Sequence, residues 1–156
     1  RKDPIVFVFA PTPTNPFAGA YQQGATSITA DGVEVEIAAR PFAGVELAAA
    51  YTYTDAEADA GGAVPFSVAH QLSGGVTVAA TDRITLGAQA LYVTGLENFG
   101  LSAETYLRLD ARAEYRVTEN AAVFLRAVNL LDQEYQTVDG YGTSDLAVFA
   151  GLRASF

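Results

Sequence analysis

Cysteine, methionine and tryptophan are all absent from this chain of 156 residues. Without cysteine there is no disulfide frame, no thiolate nucleophile and no cysteine metal site. Charge is scarce at 17%, below the usual quarter. Lysine is nearly missing, since Lys2 is the only one beside eight arginines. Arginine suits packed, partly dry ion pairs better than lysine does. The net charge of −9 excludes nucleic acid as a partner, because that needs a basic footprint. No run of about 18 apolar residues exists, so no transmembrane helix is expected. No signal peptide opens the chain, so an exported protein would be seen here in mature or trimmed form. Convincing helical periods are also missing.

What is present is alternation. In "YLRLDARAEYRV", Leu107, Leu109, Ala111, Ala113, Tyr115 and Val117 share one parity. Arg108, Asp110, Arg112, Glu114 and Arg116 share the other. A period of two marks a β-strand with unlike faces. Eight such segments are expected, near 4–10, 26–40, 45–54, 67–80, 84–94, 104–117, 121–131 and 144–156. The first, "IVFVFA", is apolar on both parities and its faces cannot be assigned. Many strands separated by turn signals mean a sandwich or a barrel. The chain is long enough for one domain, read as a single barrel over 1–156.

Short connections ("PFAG", "TDR", "TEN") alternate strictly with long ones that start at Pro11, Asp55, Gly95 and Asp132. Short periplasmic turns and long extracellular loops are the habit of outer-membrane barrels. The expected fold is therefore an all-β, antiparallel transmembrane β-barrel of eight strands, its first strand pairing its last. In a membrane barrel the apolar parity faces lipid. That assigns Val33, Val35, Ile37, Leu47, Leu86, Leu107, Leu109, Leu125, Val148 and Leu152 to the bilayer. The opposite parity gives a lumen network of Glu34, Glu36, Glu46, Arg108, Asp110, Arg112, Glu114, Arg116, Arg126 and Arg153, acids meeting arginines across the bore. Small residues on that parity suit a narrow interior, which about eight strands just fill. Tyr51, Tyr53, Tyr92 and Tyr106 lie near long-loop ends, and Tyr115 and Phe156 near short-turn ends. They read as aromatic girdles. The competing reading is a soluble lipid-binding cup with the faces reversed.

Three stretches carry a resemblance: 30–57, 108–142 and the terminal "VFAGLRASF". "GVEVEIAARP" leads into "AAAYTYTD", and Val128-Asn129-Leu130-Leu131-Asp132 with Tyr135 precedes a loop rich in tyrosine and glycine. The chain resembles the C-terminal part of TonB-dependent outer-membrane receptors, over most of its length. The resemblance implies a bacterial outer-membrane location, with lipid and lipopolysaccharide around the barrel. It also implies a signal for the barrel-assembly machinery in Phe156, Ala154 and Leu152. Such receptors have about 22 strands and a plugged lumen, and import siderophores, cobalamin and similar nutrients. No plug and no TonB-contact motif is recognisable in these 156 residues, and "GGAVPFSVAHQLS" lacks the basic run the family carries there. The expectation is a small scaffold-type barrel, truncated or engineered, without energised transport or a TonB contact of its own. The alternatives are a fragment of a nutrient receptor or a narrow passive pore.

No catalytic site, metal or cofactor is expected. His70 is the only histidine, so no imidazole pair exists to hold a metal. Nothing in the spacing of Ser67, His70 and Ser73 builds a triad. Asp110 with Glu114, or Glu34 with Glu36, read as arginine partners rather than an acid–base pair. Asp55, Glu57, Asp59, Asp132, Glu134 and Asp139 lack calcium-loop spacing. Phe17, Tyr21, Tyr135 and Tyr141 are candidates for an aromatic, ligand-contacting surface on the external loops, against the plainer reading of exposed aromatic loop tips.

Overall fold

A computed structural model describes residues 5–10, 12–14, 18–23, 27–59, 61, 64–97, 104–138 and 140–155. Among the described residues two antiparallel sheets account for the strands. β1 (Ile5–Phe9) pairs only with β2 (Gly19–Gln23). β3 (Ile28–Phe42), β4 (Val45–Ala58), β5 (Val68–Ala79), β6 (Ile84–Leu96), β7 (Glu104–Arg116), β8 (Ala121–Val128) and β9 (Ala147–Ala154) form one meander in chain order.

β2 falls where the sequence suggests only a proline-rich loop. The expected pairing of first strand with last is not seen: β1 pairs β2, and the seven-stranded sheet is open between β3 and β9. The alternation of connections holds across that sheet. Residues 43–44, 80–83 and 117–120 turn tightly, while 59–67, 97–103 and 129–146 are long. Gly44 sits in the first tight turn at φ 76°, which an L side chain seldom adopts.

Register fixes the two faces. Val33, Tyr53 and His70 fall in one row, as do Val35, Tyr51, Leu72, Tyr92 and Leu107. Ile84, Tyr115, Val123 and Leu152 mark the opposite end of the same face. The apolar parity thus forms one continuous surface, and it is the more open one: Ile37 is 63% exposed and Leu152 69%. The polar parity is concave and holds the buried polar groups, Asp110 at its middle and Asn129 at 1% exposure.

Among the described residues the apolar core is small. Val93, Leu96 and Tyr106 are buried, with Val68, Leu91 and Tyr135 packed against them. It lies on the polar face at the long-loop end of β6 and β7. A bulge makes it: the register slips between Val93 and Leu96, and Gly95 takes φ 69°. One extra residue in β6 returns Leu96 to the side of Val93.

Candidate functional site

The concave polar face is a cavity of about 860 Å³ lined by Arg40, Glu46, Gln89, Asp110, Arg112 and Arg126, among others. Every residue expected in the lumen network lies on this face. Among the described residues three ion pairs form: Arg40 with Glu46 at 2.8 Å, Arg108 with Asp110 at 3.3 Å, and Arg153 with Glu114 at 3.0 Å. The Arg116 guanidinium donates to the Asp82 carbonyl in the turn before β6.

The expected meeting of Glu34, Glu36 and Glu46 with the arginines of β7–β9 does not occur. The acids lie on β3 and β4, and β5 and β6 stand between. The facing positions there are uncharged: Gln71, Ser73, Gly75, Thr77, Thr85, Gly87 and Gln89. The sheet is open, so its two charged halves do not close on each other.

Above this face, residues 129–146 fold back over β7. β7 and β8 stop pairing at Ala111 and Ala127, but one more backbone bond runs from Leu130 N to Leu109 O at 2.7 Å. The chain then turns through Asn129 at φ 54° and Asp132 at φ 50°. Asparagine and aspartate tolerate this left-handed region better than other side chains. Asn129 is the hub. Its backbone N–H donates to Asp110 Oδ1, and its Nδ2 donates to the carbonyls of Gln133 and Ser144, each at 3.1 Å. Its Oδ1 accepts from the Gln133 N–H at 3.2 Å. Gln133 Oε1 accepts from the Leu107 N–H, standing in for a missing strand partner. Asp132 Oδ1 accepts from the Leu146 N–H and closes the neck of the loop. Tyr135 stacks on Tyr106, with centroids 4.0 Å apart, and its phenol lies beside the Arg108 guanidinium.

Tyr106 therefore leaves the expected girdle. It shares the parity of Arg108, faces Val93 and is 7% exposed under Tyr135. Tyr51, Tyr53, Tyr92 and Tyr115 stay on the apolar face. So do all ten residues assigned to lipid. Phe156, expected in the girdle and in the assembly signal, lies outside the described residues, as do Phe17 and Asp139. Leu152 and Ala154 are on β9, opposite Val123 and Ala121. Tyr21 and Tyr141, expected in an aromatic loop surface, are each highly exposed, Tyr21 on β2 rather than in a loop. Tyr135 is turned inward instead.

His70 is on the apolar face. Its Nδ1 is 2.9 Å from the Tyr51 hydroxyl, and its ring centroid is 5.0 Å from that of Tyr53. In the same row the hydroxyls of Thr94 and Thr105 are 2.9 Å apart. A polar belt thus crosses β4 to β7 at the upper rim of the apolar face. Among the described residues no three His, Cys, Asp or Glu side chains cluster as a metal site would need.

The family model "TonB dependent receptor-like, beta-barrel" matches residues 1–130. The chain belongs to this family. A search of curated proteins gives no match. Among solved structures, the chain is similar to the ferric-catecholate import receptor Fiu of Escherichia coli K12, at 20% identity and a TM-score of 0.73. That match covers 99% of this chain and 24% of Fiu. It is also similar to FpvA of Pseudomonas aeruginosa, solved with heterologous pyoverdines (20% identity, TM-score 0.71, 99% of this chain and 23% of FpvA). The siderophore receptor PiuA of Acinetobacter baumannii matches at 23% identity and TM-score 0.69, over 93% of this chain and 24% of PiuA. The chain spans about a quarter of the length of these receptors. The motif around Asn129 was visible in the sequence. Gln133 as a strand substitute was not, since no local pattern marks a side chain that bonds to a strand 26 positions earlier.

Proposed function

We propose that this chain is a stretch of the wall of a TonB-dependent receptor barrel in a Gram-negative outer membrane. In this reading its apolar face meets lipid and its concave face lines the lumen. Direction of the sheet edges carries the reading. Six antiparallel pairings separate β3 from β9, so both edge strands run the same way. Closing this sheet on itself would set two parallel strands side by side. Single-chain bacterial barrels are antiparallel with an even strand count. An odd number of further strands must therefore stand between β9 and β3. β1 and β2 contribute two, which leaves the count odd and the seam parallel. This parity favours closure with strands beyond the nine described over a free-standing scaffold barrel or a narrow pore.

The height of the apolar face supports a membrane. From Ile84 to Thr94, ten steps of about 3.3 Å make about 33 Å along the strand. At a tilt of about 40° that is about 25 Å, the height of an outer-membrane apolar band. The Tyr53–His70–Thr94–Thr105 belt then lies at the headgroup level. A soluble cup would carry its apolar parity on the concave face, whereas the concave face here is the polar one.

The whole receptor would take up a ferric siderophore, since Fiu is a ferric-catecholate import receptor and PiuA a siderophore receptor. TonB contact, lipopolysaccharide contact and assembly through Phe156 belong to that whole, and the chain has no catalytic role in it. The test is the behaviour of the 156 residues in detergent, alone and joined to the remaining strands of a receptor. Alone, the chain is expected to give no compact, heat-modifiable monomer. Joined, it is expected to give one. A closed heat-modifiable monomer from the 156 residues alone would overturn the proposal.

A further inference from the structure

We infer that His70, clasped by Tyr51 and Tyr53, is a positioning residue that sets the register of β4 against β5. Side-chain parity protects a two-faced sheet from a slip of one residue, which would turn every side chain over. A slip of two residues keeps both faces, so parity does not oppose it. Tight turns oppose it in β3–β4, β5–β6 and β7–β8, because turn type and loop length fix the register of a hairpin. β4 and β5 have no such turn, since residues 59–67 join them. Their middle carries little register information either: Ala48, Ala49 and Ala50 face Gly75, Gly74 and Ser73. Flat stretches rich in small residues are where register is weakly specified.

The clasp supplies what that stretch lacks. His70 stands opposite Tyr53, with ring centroids 5.0 Å apart. Tyr51, two residues nearer the short-turn end, reaches diagonally to His70 and sets its hydroxyl 2.9 Å from Nδ1. Only the native register gives His70 a tyrosine at both places. A slip of two in one direction puts Tyr51 opposite it and Ala49 on the diagonal. A slip in the other direction puts Asp55 opposite it and Tyr53 on the diagonal. The other two pairs joined by long loops carry interlocks of their own. Arg112 lies over Gly87, its partner on β6, and Phe124 lies over Gly151, its partner on β9. A Cβ at Gly87 would come within 2.8 Å of Arg112 Nε, and one at Gly151 would run into the Phe124 ring. The clasp sits on the apolar face between two adjacent strands. It depends neither on what fills the lumen nor on how the sheet closes.

Cysteine cross-linking tests this in the 156 residues joined to the remaining strands of a receptor, those strands being free of cysteine. Directly opposed residues are close enough for a disulfide, and residues two positions off are too far apart. Ala49→Cys with Gly74→Cys reads the native register, and a Cβ at Gly74 meets nothing closer than 4.0 Å. Ala49→Cys with Leu72→Cys, or with Val76→Cys, reads the two slips. The compact monomer of the parent checks the barrel reading, and the change from parent to variant checks the clasp. In His70→Ala the slipped cross-links are expected to rise several-fold at the expense of the native one. Tyr51→Phe loses only the hydroxyl and is expected to show a smaller rise. Tyr92→Ala, on the same face in the tight β5–β6 hairpin, is expected to stay at the parent level. If His70→Ala gives no compact monomer, a disulfide closed between positions 49 and 74 before folding is expected to restore it. Parent-level slipped cross-links in His70→Ala, an equal rise in Tyr92→Ala, or no rescue by that disulfide would each overturn the inference.

Discussion

The β3–β4 hairpin and the β7–β9 ribbon belong to one sheet, yet different forces hold them. The hairpin is a long run of backbone pairs from Ile28–Ala58 down to the tight turn at Gly44. Its apolar side chains Val33, Val35 and Ile37 are about half exposed or more, with no protein layer over them. The ribbon gives up backbone pairing early, at Ala111 and Ala127. Side chains replace it: Asn129, Gln133 and Asp132 tie β7, β9 and the loop together, and Tyr135 covers Tyr106. In the proposed setting one region relies on its solvent, the bilayer. The other carries its own interior, built from amides and two phenols.

The sharpest way to break this comparison is a charge on the apolar face. Ile37→Arg on the hairpin and Leu109→Arg on the ribbon should each lose about 2–4 kcal/mol, the usual penalty near a bilayer midplane. Denaturant unfolding in phospholipid vesicles measures it. Glu36→Gln, one residue from Ile37 on the other face, should change almost nothing. Equal effects of Ile37→Arg and Glu36→Gln would mean that the two faces see the same medium.

Next in size is the hub. Asn129→Ala strands the Gln133 and Ser144 carbonyls and the Gln133 N–H in a part-buried place. Unsatisfied buried groups cost about 1–3 kcal/mol. The loss should be local. Hydrogen exchange at Leu107, Gln133 and Leu146 should quicken, while the β3–β4 amides keep their protection. Uniform quickening would show that the knot supports the whole sheet. Tyr135→Ala comes after it. Losing the stacked partner of Tyr106 should cost about 0.5–1.5 kcal/mol beyond the lost area, and Tyr106 should become accessible to nitration.

Much of the hairpin was legible in the sequence, and much of the ribbon was not. Strict alternation from Val33 to Ala39 and from Val45 to Tyr53 gives both strands and both faces, because register in a two-faced sheet follows side-chain parity. β8 was expected to reach Leu131 but ends at Val128, because Asn129 turns left-handed. β9 was expected from Ser144 but starts at Ala147. Ser144 and Leu146 are already bonded to Asn129 and Asp132. Parity also put the ten residues of the lumen network on one face but not beside their partners, which depend on how strands stand side by side. Tyr106 shows the limit most plainly. Its level near a long loop suggested a girdle, while its parity, shared with Arg108, put it under Tyr135. β2 escaped notice since "GAYQQ" is short and follows a run of prolines.

The smallest effect separates the two regions by their salt bridges. Arg40–Glu46 bridges the hairpin near its turn, and both side chains are exposed. Arg153–Glu114 crosses β8 to join β9 to β7, and its acid is better covered. Exposed pairs contribute about 0–1 kcal/mol and are screened by salt. Glu46→Gln should therefore be nearly silent, and silent altogether at high ionic strength. Glu114→Gln should cost slightly more, because it leaves Arg153 without its carboxylate on a face already rich in arginine. If the two variants respond alike to ionic strength, the arginines of β7–β9 do not act as one basic surface, and the difference between hairpin and ribbon reduces to the loop that covers β7.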